Sequence, residues 1–245
     1  MSSKLLIEEE EKIVLIKFNR PEKLNALDEN MWIELAETLE TYREDKIAII
    51  TGIGKAFSAG DDIKMMYEFE GLDEAEYFVT TILKRTIRTF LDYRLPIISA
   101  VNGYAVGGGC EITLLTDLVV ASPDSIFGVP EIRIGLIPPI MLSLGAYMIG
   151  FKRAAELSLT GRLLTAEEAM KLGIVDIIDE DPVRKSFELA EELWKIPKET
   201  LYSYKDYVNE VKLKMLDDGL ADKLALLMVY SEAKKLMEKF LKKEI

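Results

Sequence analysis

Residues 96–111 read PIISAVNGYAVGGGCE. Pro96 stops the helical pattern before it, and Pro96–Val101 is a short apolar run of the kind that forms a buried strand. Asn102-Gly103 turns the chain. Gly107-Gly108-Gly109 then opens a helix that takes in Glu111–Leu115. A glycine run at that junction lets a ligand approach backbone N–H groups at the positive end of a helix. A tight strand-to-helix turn, with Glu111 as an ordinary first-turn carboxylate, satisfies the same pattern. The run is not a Walker loop, because no Gly-Lys-Ser/Thr follows, and it does not match the dinucleotide fingerprint.

Working outward, Ile13–Phe18 reads as a strand closed by Asn19-Arg20-Pro21. Asp28 can cap a helix in which Leu27, Met31, Leu35 and Leu39 repeat at four-residue spacing. Ile47–Ile50 reads as a buried strand ending in Thr51-Gly52, and Glu74–Tyr93 has helical periodicity. Downstream, Leu118–Ala121 reads as a strand and Ser125–Gly128 as a brief extended piece. Met141–Ile149, Lys152–Leu159 and Thr165–Leu172 read as helices. Asp181 to Ile245 is charged and helical, lacks strand signals and is broken at Pro197. Strands alternating with helices at this spacing predict an α/β fold with right-handed crossovers and a parallel sheet covered on both faces. The tail is expected to dock as helices on that core or on another subunit.

The chain has 245 residues, 49% of them hydrophobic and 30% charged, which suits one large α/β domain with a helical extension, or two small domains. Lys plus Arg number 31 and Asp plus Glu 43, a balance of −12. Such a charge repels phosphate backbones and argues against broad nucleic-acid binding and against anionic membranes. The one cysteine, Cys110, excludes an internal disulfide and any Cys-cluster metal site. There is no histidine, which removes Ser-His-Asp and Cys-His catalysis, His-ligated zinc and a proximal-His haem. Acid–base chemistry falls to carboxylates, Lys, Tyr or water. Met1 to Glu11 is polar and acidic, without a signal core, and no run approaches the roughly 20 apolar residues of a membrane span. A cytoplasmic, soluble chain is expected. Abundant Glu and Lys with no glutamine lean towards a thermophile.

Two more stretches could carry chemistry. Phe57-Ser58-Ala59-Gly60-Asp61-Asp62 follows a strand and leads into Ile63-Lys64. It reads as a solvated loop with Asp61 or Asp62 as a helix cap, or as a source of a backbone N–H for an oxyanion hole. Gly128-Val129-Pro130-Glu131 sets a carboxylate after an extended segment. Glu131 alone reads as an exposed loop residue; paired with Glu111 it could serve as a general acid or base beside a water.

Taken in order, these stretches resemble the crotonase, or enoyl-CoA hydratase/isomerase, superfamily. The resemblance is carried by Asn19-Arg20-Pro21 with Leu24-Asn25-Ala26-Leu27, by residues 57–63 and 96–111, and by Phe127-Gly128-Val129-Pro130-Glu131-Ile132 with Gly135-Leu136-Ile137-Pro138. Leu159-Thr160-Gly161-Arg162 and Ala166-Glu167-Glu168-Ala169 continue it. It runs from about Ile13 to Val175, with a compatible helical tail. It implies a spiral of ββα units over residues 1–195, and a helical oligomerisation region over 196–245 that builds homo-trimers, or hexamers as pairs of trimers. It also implies an acyl-CoA substrate in fatty-acid β-oxidation chemistry, coenzyme A entering only as part of the substrate, and no other cofactor or metal. The oxyanion hole would use the backbone N–H of Asp61 and of Gly108, with no need for the Asp61 side chain. Glu111 and Glu131 would orient water and shuttle a proton in syn hydration of a 2-enoyl-CoA. Lys23, Leu24 and Ala26, with Ala59, Asp61, Asp62, Ile63 and Lys64, match stretches that line the CoA and pantetheine path.

One stretch departs from the family. After Pro138 the hydratases usually continue Gly-Ala-Gly-Gly, where this chain has Pro139-Ile140-Met141-Leu142. At the position of Pro139 the family contributes an N–H to the catalytic water, and proline has none. Because both glutamates are present, the leading reading is an enoyl-CoA hydratase, a lyase. A Δ3-Δ2 enoyl-CoA isomerase, in which one glutamate moves a proton and no water attacks, stands beside it. A non-catalytic oligomeric family member is the third reading.

Overall fold

The computed structural model describes residues 3–244. Its strands are β1 (Leu5–Glu9), β2 (Ile13–Phe18), β3 (Ile47–Gly52), β4 (Ala56–Ser58), β5 (Ile97–Val101), β6 (Tyr104–Val106), β7 (Leu118–Ala121), β8 (Ile126–Gly128), β9 (Leu164–Thr165) and β10 (Ile177–Ile178). The helices of the first two-thirds are α1 (Glu29–Tyr42), α2 (Ile63–Glu68), α3 (Leu72–Glu76), α4 (Lys84–Asp92), α5 (Gly108–Leu115), α6 (Ala146–Ile149) and α7 (Phe151–Thr160). Then follow α8 (Ala166–Leu172), α9 (Pro182–Leu193), α10 (Lys198–Met215), α11 (Asp218–Val229) and α12 (Ser231–Leu241).

Two sheets form, in the orders β1-β2-β3-β5-β7-β10 and β4-β6-β8-β9. The pairs β3/β4, β5/β6 and β7/β8 are consecutive in sequence, and each gives its first strand to the larger sheet and its second to the smaller one. The expected parallel sheet runs from β2 through β10, with β3 and β5 buried along their whole length as strands covered on both faces must be. β1 is a correction to the sequence reading of that stretch. It pairs antiparallel to β2 at the sheet edge, with only Leu5 buried. Its glutamates hid it from a hydrophobic pattern, and charge on an edge strand discourages pairing with other chains. The continuous helical pattern over 74–93 is three pieces in one run, α3, a π-helical stretch Tyr77–Leu83, and α4.

The tail returns to its own core. α9 packs across β3, β5 and β7, and α10 against α4; α11 and α12 lie on α2, α3 and the 3-10 turn Pro130–Ile134. Residue 195, where the sequence reading ended its core, falls in the turn between α9 and α10.

α10 is anchored by buried charge. Lys205 Nζ donates to Asp117 Oδ2 at 2.5 Å, and the same oxygen accepts the Ile97 N–H at 2.8 Å. Lys212 Nζ donates to the Leu115 and Thr116 carbonyls at 2.8 and 3.0 Å, filling orphan acceptors at the end of α5. Removing one member of such a buried pair leaves the other charge without compensation. Lys205→Met should lower the unfolding free energy by about 3–5 kcal/mol, read from the urea midpoint at constant slope. A loss below about 1 kcal/mol would show that Asp117 is sufficiently compensated by Ile97 and Lys212.

Candidate active site

The smaller sheet sets the site. β4, β6 and β8 are parallel neighbours, with Ser58 beside Ala105 and Val106 beside Gly128. Each ends at the same level, so the segments that follow them, Ala59-Gly60-Asp61, Gly107-Gly108 and Val129-Pro130-Glu131, emerge side by side. Glycine permits the contact between them. Gly60 has φ +86°, and a Cβ there would come within 2.7 Å of the Val106 carbonyl and 2.9 Å of the Gly108 nitrogen. A Cβ on Gly109 would meet the Ser58 carbonyl at 2.4 Å. Neither contact tolerates a side chain.

Two backbone N–H groups are left for a ligand by this geometry. Leu27 bridges Asp61 in parallel: the Leu27 N–H donates to the Gly60 carbonyl at 2.8 Å and the Asp62 N–H to the Leu27 carbonyl at 2.9 Å. In such a bridge the N–H of the middle residue, Asp61, points away from its partner strand. Gly108 is the first residue of α5, where an N–H has no intrahelical acceptor.

Both donors border a cavity of about 770 Å³ that is lined mainly by apolar side chains, with three carboxyl groups, of Asp61, Glu111 and Glu131, and one guanidinium, of Arg133, among its described lining residues. Glu111, on α5, turns one oxygen to the next segment: its Oε1 accepts the N–H groups of Ile140 and Met141 at 2.7 and 2.8 Å. Burial pushes the Glu111 carboxyl well above the ordinary range, the neighbouring Glu131 raises it further, and the two N–H donors pull the other way. Burial likewise pushes Glu131 up to about 8, its own amide opposing and Asp61 assisting. Glu131 Oε1 lies against Gly107, and its Oε2 is buried with no hydrogen-bond partner among the described residues. Burial also lifts Asp61 to about 6, against hydrogen bonds from the Trp32 indole and its own amide. The Cys110 thiol, buried beside these acids, is pushed up to about 12 and is inert.

The structure brings together Asp61, Gly108, Glu111 and Glu131, and with them Leu24, Ala59 and Ile63 on the cavity wall. The other expected contact residues lie outside the wall. Asp62 pairs with Arg20 at 3.0 Å and caps α2 through the Lys64 N–H. Lys64 is exposed beside Glu68, the Ala26 carbonyl accepts from Arg20, and Lys23 sits exposed in a 3-10 turn. Asn25 works structurally: its amide donates to the Ala56 carbonyl at 2.7 Å and accepts the Arg20 N–H, tying its loop to β4.

The sequence reading missed Trp32, which lines the cavity from α1, and Leu224, Met228, Leu236 and Phe240, which close it from α11 and α12. Trp32 sits on the apolar face of an amphipathic helix and carried no separate signal. Lys234 holds α12 in place, donating to the Met66, Tyr67 and Phe69 carbonyls at 3.1, 2.6 and 2.8 Å, the unpaired end of α2. Among the described residues no group of His, Cys, Asp and Glu is arranged to hold a metal ion, and no helix is long and apolar enough to cross a membrane.

Comparison with known proteins agrees with this geometry. The family described as enoyl-CoA hydratase/isomerase matches residues 8–244. A probable mitochondrial enoyl-CoA hydratase of Dictyostelium discoideum is 36% identical over 219 residues, 87% of this chain and 78% of its own. The 2,3-dehydroadipyl-CoA hydratase of Escherichia coli is 32% identical over 241 residues, 91% of this chain and 89% of its own. The crystal structure of an enoyl-CoA hydratase/isomerase from Mycobacterium paratuberculosis superposes with a TM-score of 0.90 at 25% identity, covering 98% of this chain and 99% of that one.

The buried acids make stability depend on pH. A carboxyl whose folded pKa is raised holds its proton more tightly in the folded chain, so the folded state is favoured at low pH. Stability then falls as pH rises from the unfolded range near 4.5 towards 8. Through that window the wild type should lose up to about 1.4 kcal/mol per pH unit relative to Glu131→Gln. Thermal melts of the two proteins from pH 5 to 9 test this; parallel curves would mean that Glu131 is solvated.

Proposed function

The chain belongs to the enoyl-CoA hydratase/isomerase (crotonase) family, and we propose that it adds water to 2-enoyl-CoA thioesters with Glu111 and Glu131 acting on one water molecule. The observation that carries the reading is the buried, unpartnered Oε2 of Glu131, in the same apolar cavity as the carboxyl of Glu111. A water between the two acids would fill that vacant acceptor.

The chemistry follows from the charges. The thioester oxygen sits between the N–H groups of Asp61 and Gly108, where the positive end of α5 stabilises the enolate that forms on attack. The water oxygen bonds to C3 while its proton passes to an ionised carboxylate. The C2=C3 pair moves onto the thioester oxygen, then returns to take a proton at C2 from the neutral partner acid. H and OH are added across the double bond, and the pair of acids ends with the proton count it began with. Two carboxyls whose burial makes them share protons can supply one neutral and one ionised member near neutrality. Ile140 and Met141 fix Glu111 through its Oε1 and leave Oε2 for the water.

The acyl thioester is the substrate class, no cofactor beyond it is invoked, and coenzyme A arrives as part of the substrate. The soluble, cytoplasmic setting and a homo-trimeric or hexameric assembly belong to this proposal as family expectations. The isomerase reading draws support from the departure after Pro138. Pro139 lines the cavity without an N–H, and the donors that follow it are spent on Glu111. With no third donor for water, a glutamate could move a proton between C2 and C4 of a 3-enoyl-CoA.

Four variants decide between them. Glu111→Gln and Glu131→Gln should each lower kcat for crotonyl-CoA hydration by about 10²- to 10⁴-fold, and the double variant by much less than the product. Near-normal hydration by Glu131→Gln would refute the shared water. Pro139→Ala should raise hydration by about ten- to a hundredfold, the worth of one hydrogen bond of about 1.5–3 kcal/mol to a charged network. A rise in hydration without a rise in 3-enoyl-CoA isomerisation supports the missing donor; unchanged hydration with fast isomerisation favours the isomerase.

A further inference from the structure

The resemblance asked nothing of the Asp61 side chain, yet its carboxyl lies inside the cavity. Oδ1 accepts the Trp32 indole N–H at 2.8 Å, and Oδ2 stands 3.0 Å from where a Cβ on Gly108 would lie. The carboxyl belongs to the same residue as one of the backbone donors that are to receive the thioester oxygen, and its Oδ2 borders the other, Gly108. An ionised carboxylate at that spot would repel the charge that the oxygen develops; a neutral one would instead offer it an O–H. We propose that Asp61 is a further catalytic residue of this site, a carboxylic acid that takes up a proton when the acyl thioester binds and donates a third hydrogen bond to the thioester oxygen. This rests on the acyl-CoA reading of the cavity.

The surroundings favour the neutral form. Asp62 faces Asp61 with negative charge, the Glu111 and Glu131 carboxyls share its cavity and are themselves pushed towards the neutral form, and Cys110 on α5 is a neutral thiol. Arg133, which also lines the cavity, has its Nε beside Gly161. Arg20 is engaged by Asp62 and by Asp28, which also holds Lys4, while Lys64 is exposed beside Glu68. Among the described residues no ion pair reaches Asp61. Trp32 fixes the orientation: by occupying Oδ1 it leaves Oδ2 as the oxygen that carries the proton towards Gly108. An apolar site that keeps a carboxylic acid neutral so that it can donate is an established catalytic device.

The test uses saturated hexanoyl-CoA, which binds without reacting, and calorimetry of the full chain at pH 7.5 in two buffers of different ionisation enthalpy. The wild type should take up close to one proton more than Asp61→Asn, whose amide donates without titrating. In crotonyl-CoA hydration, Asp61→Ala should lose about a hundredfold in kcat, as when one oxyanion donor is removed, and Asp61→Asn should keep activity within about tenfold. Equal proton uptake by wild type and Asp61→Asn, or wild-type turnover by Asp61→Ala, would overturn the proposal. If Asp61→Ala fails to fold, the calorimetric comparison with Asp61→Asn decides alone. Absence of hexanoyl-CoA binding to the wild type would instead overturn the acyl-thioester reading itself, and this proposal with it.

Discussion

Three parallel strands that end at one level are the constraint on which the site depends. β4, β6 and β8 lie next to one another, at the roughly 4.8 Å spacing that backbone hydrogen bonding imposes. Whatever follows each strand is therefore delivered within a few ångströms of its counterparts. Three segments far apart in sequence, around 61, 108 and 131, meet because each sits at the same place in successive ββα units. Glycine lets the loops touch: Gly60 and Gly109 approach backbone atoms at distances no Cβ could accept. The larger sheet, its apolar strands buried on both faces, supplies the rigidity that fixes the smaller one.

The same packing explains the electrostatics. Carboxyl groups are brought into an apolar space with few donors, and two of those donors, from Ile140 and Met141, go to a single oxygen of Glu111. Burial of their carboxyls pushes both glutamates towards the neutral form, and among the described residues no ion pair offsets it. Contrast Asp117, equally buried but bonded to Lys205 and the Ile97 N–H. One set of acids is compensated and anchors a helix. The other is left uncompensated around a cavity, as functional sites tend to be.

Much of this was legible in the chain, and what was not has physical reasons. β3 and β5 announce themselves because burial on both faces demands unbroken apolar runs, and Asp28 capped its helix as read. Residues 61, 108, 111 and 131 were named through a family resemblance carried by ordered motifs, and the fold brings them to one cavity. β1 was not, since an edge strand can be built largely from glutamates. The two-residue β9 and β10 carry too few side chains to show a period. Asp61 was half legible: the resemblance named its backbone N–H, while its side-chain environment depends on Trp32, which lies 29 residues away and meets it only in the fold. Likewise no local pattern distinguishes a helix that seals its own cavity from one that faces a neighbour, which is why α11 and α12 read simply as tail.

That sealing has a consequence for biosynthesis. The walls contributed by Trp32, Met66, Leu83, Ile87 and Leu115 are complete long before Leu224, Met228, Leu236 and Phe240 are translated. At ribosomal speeds of about 5–20 residues per second, the roughly hundred residues between are made over several seconds to tens of seconds. During that interval the nascent chain holds an open, greasy mouth that its own last helices will later stopper. A half-made chain is thus sticky at the very cavity that its last helices close, and a chaperone or a hydrophobic ligand could occupy that mouth before α12 arrives.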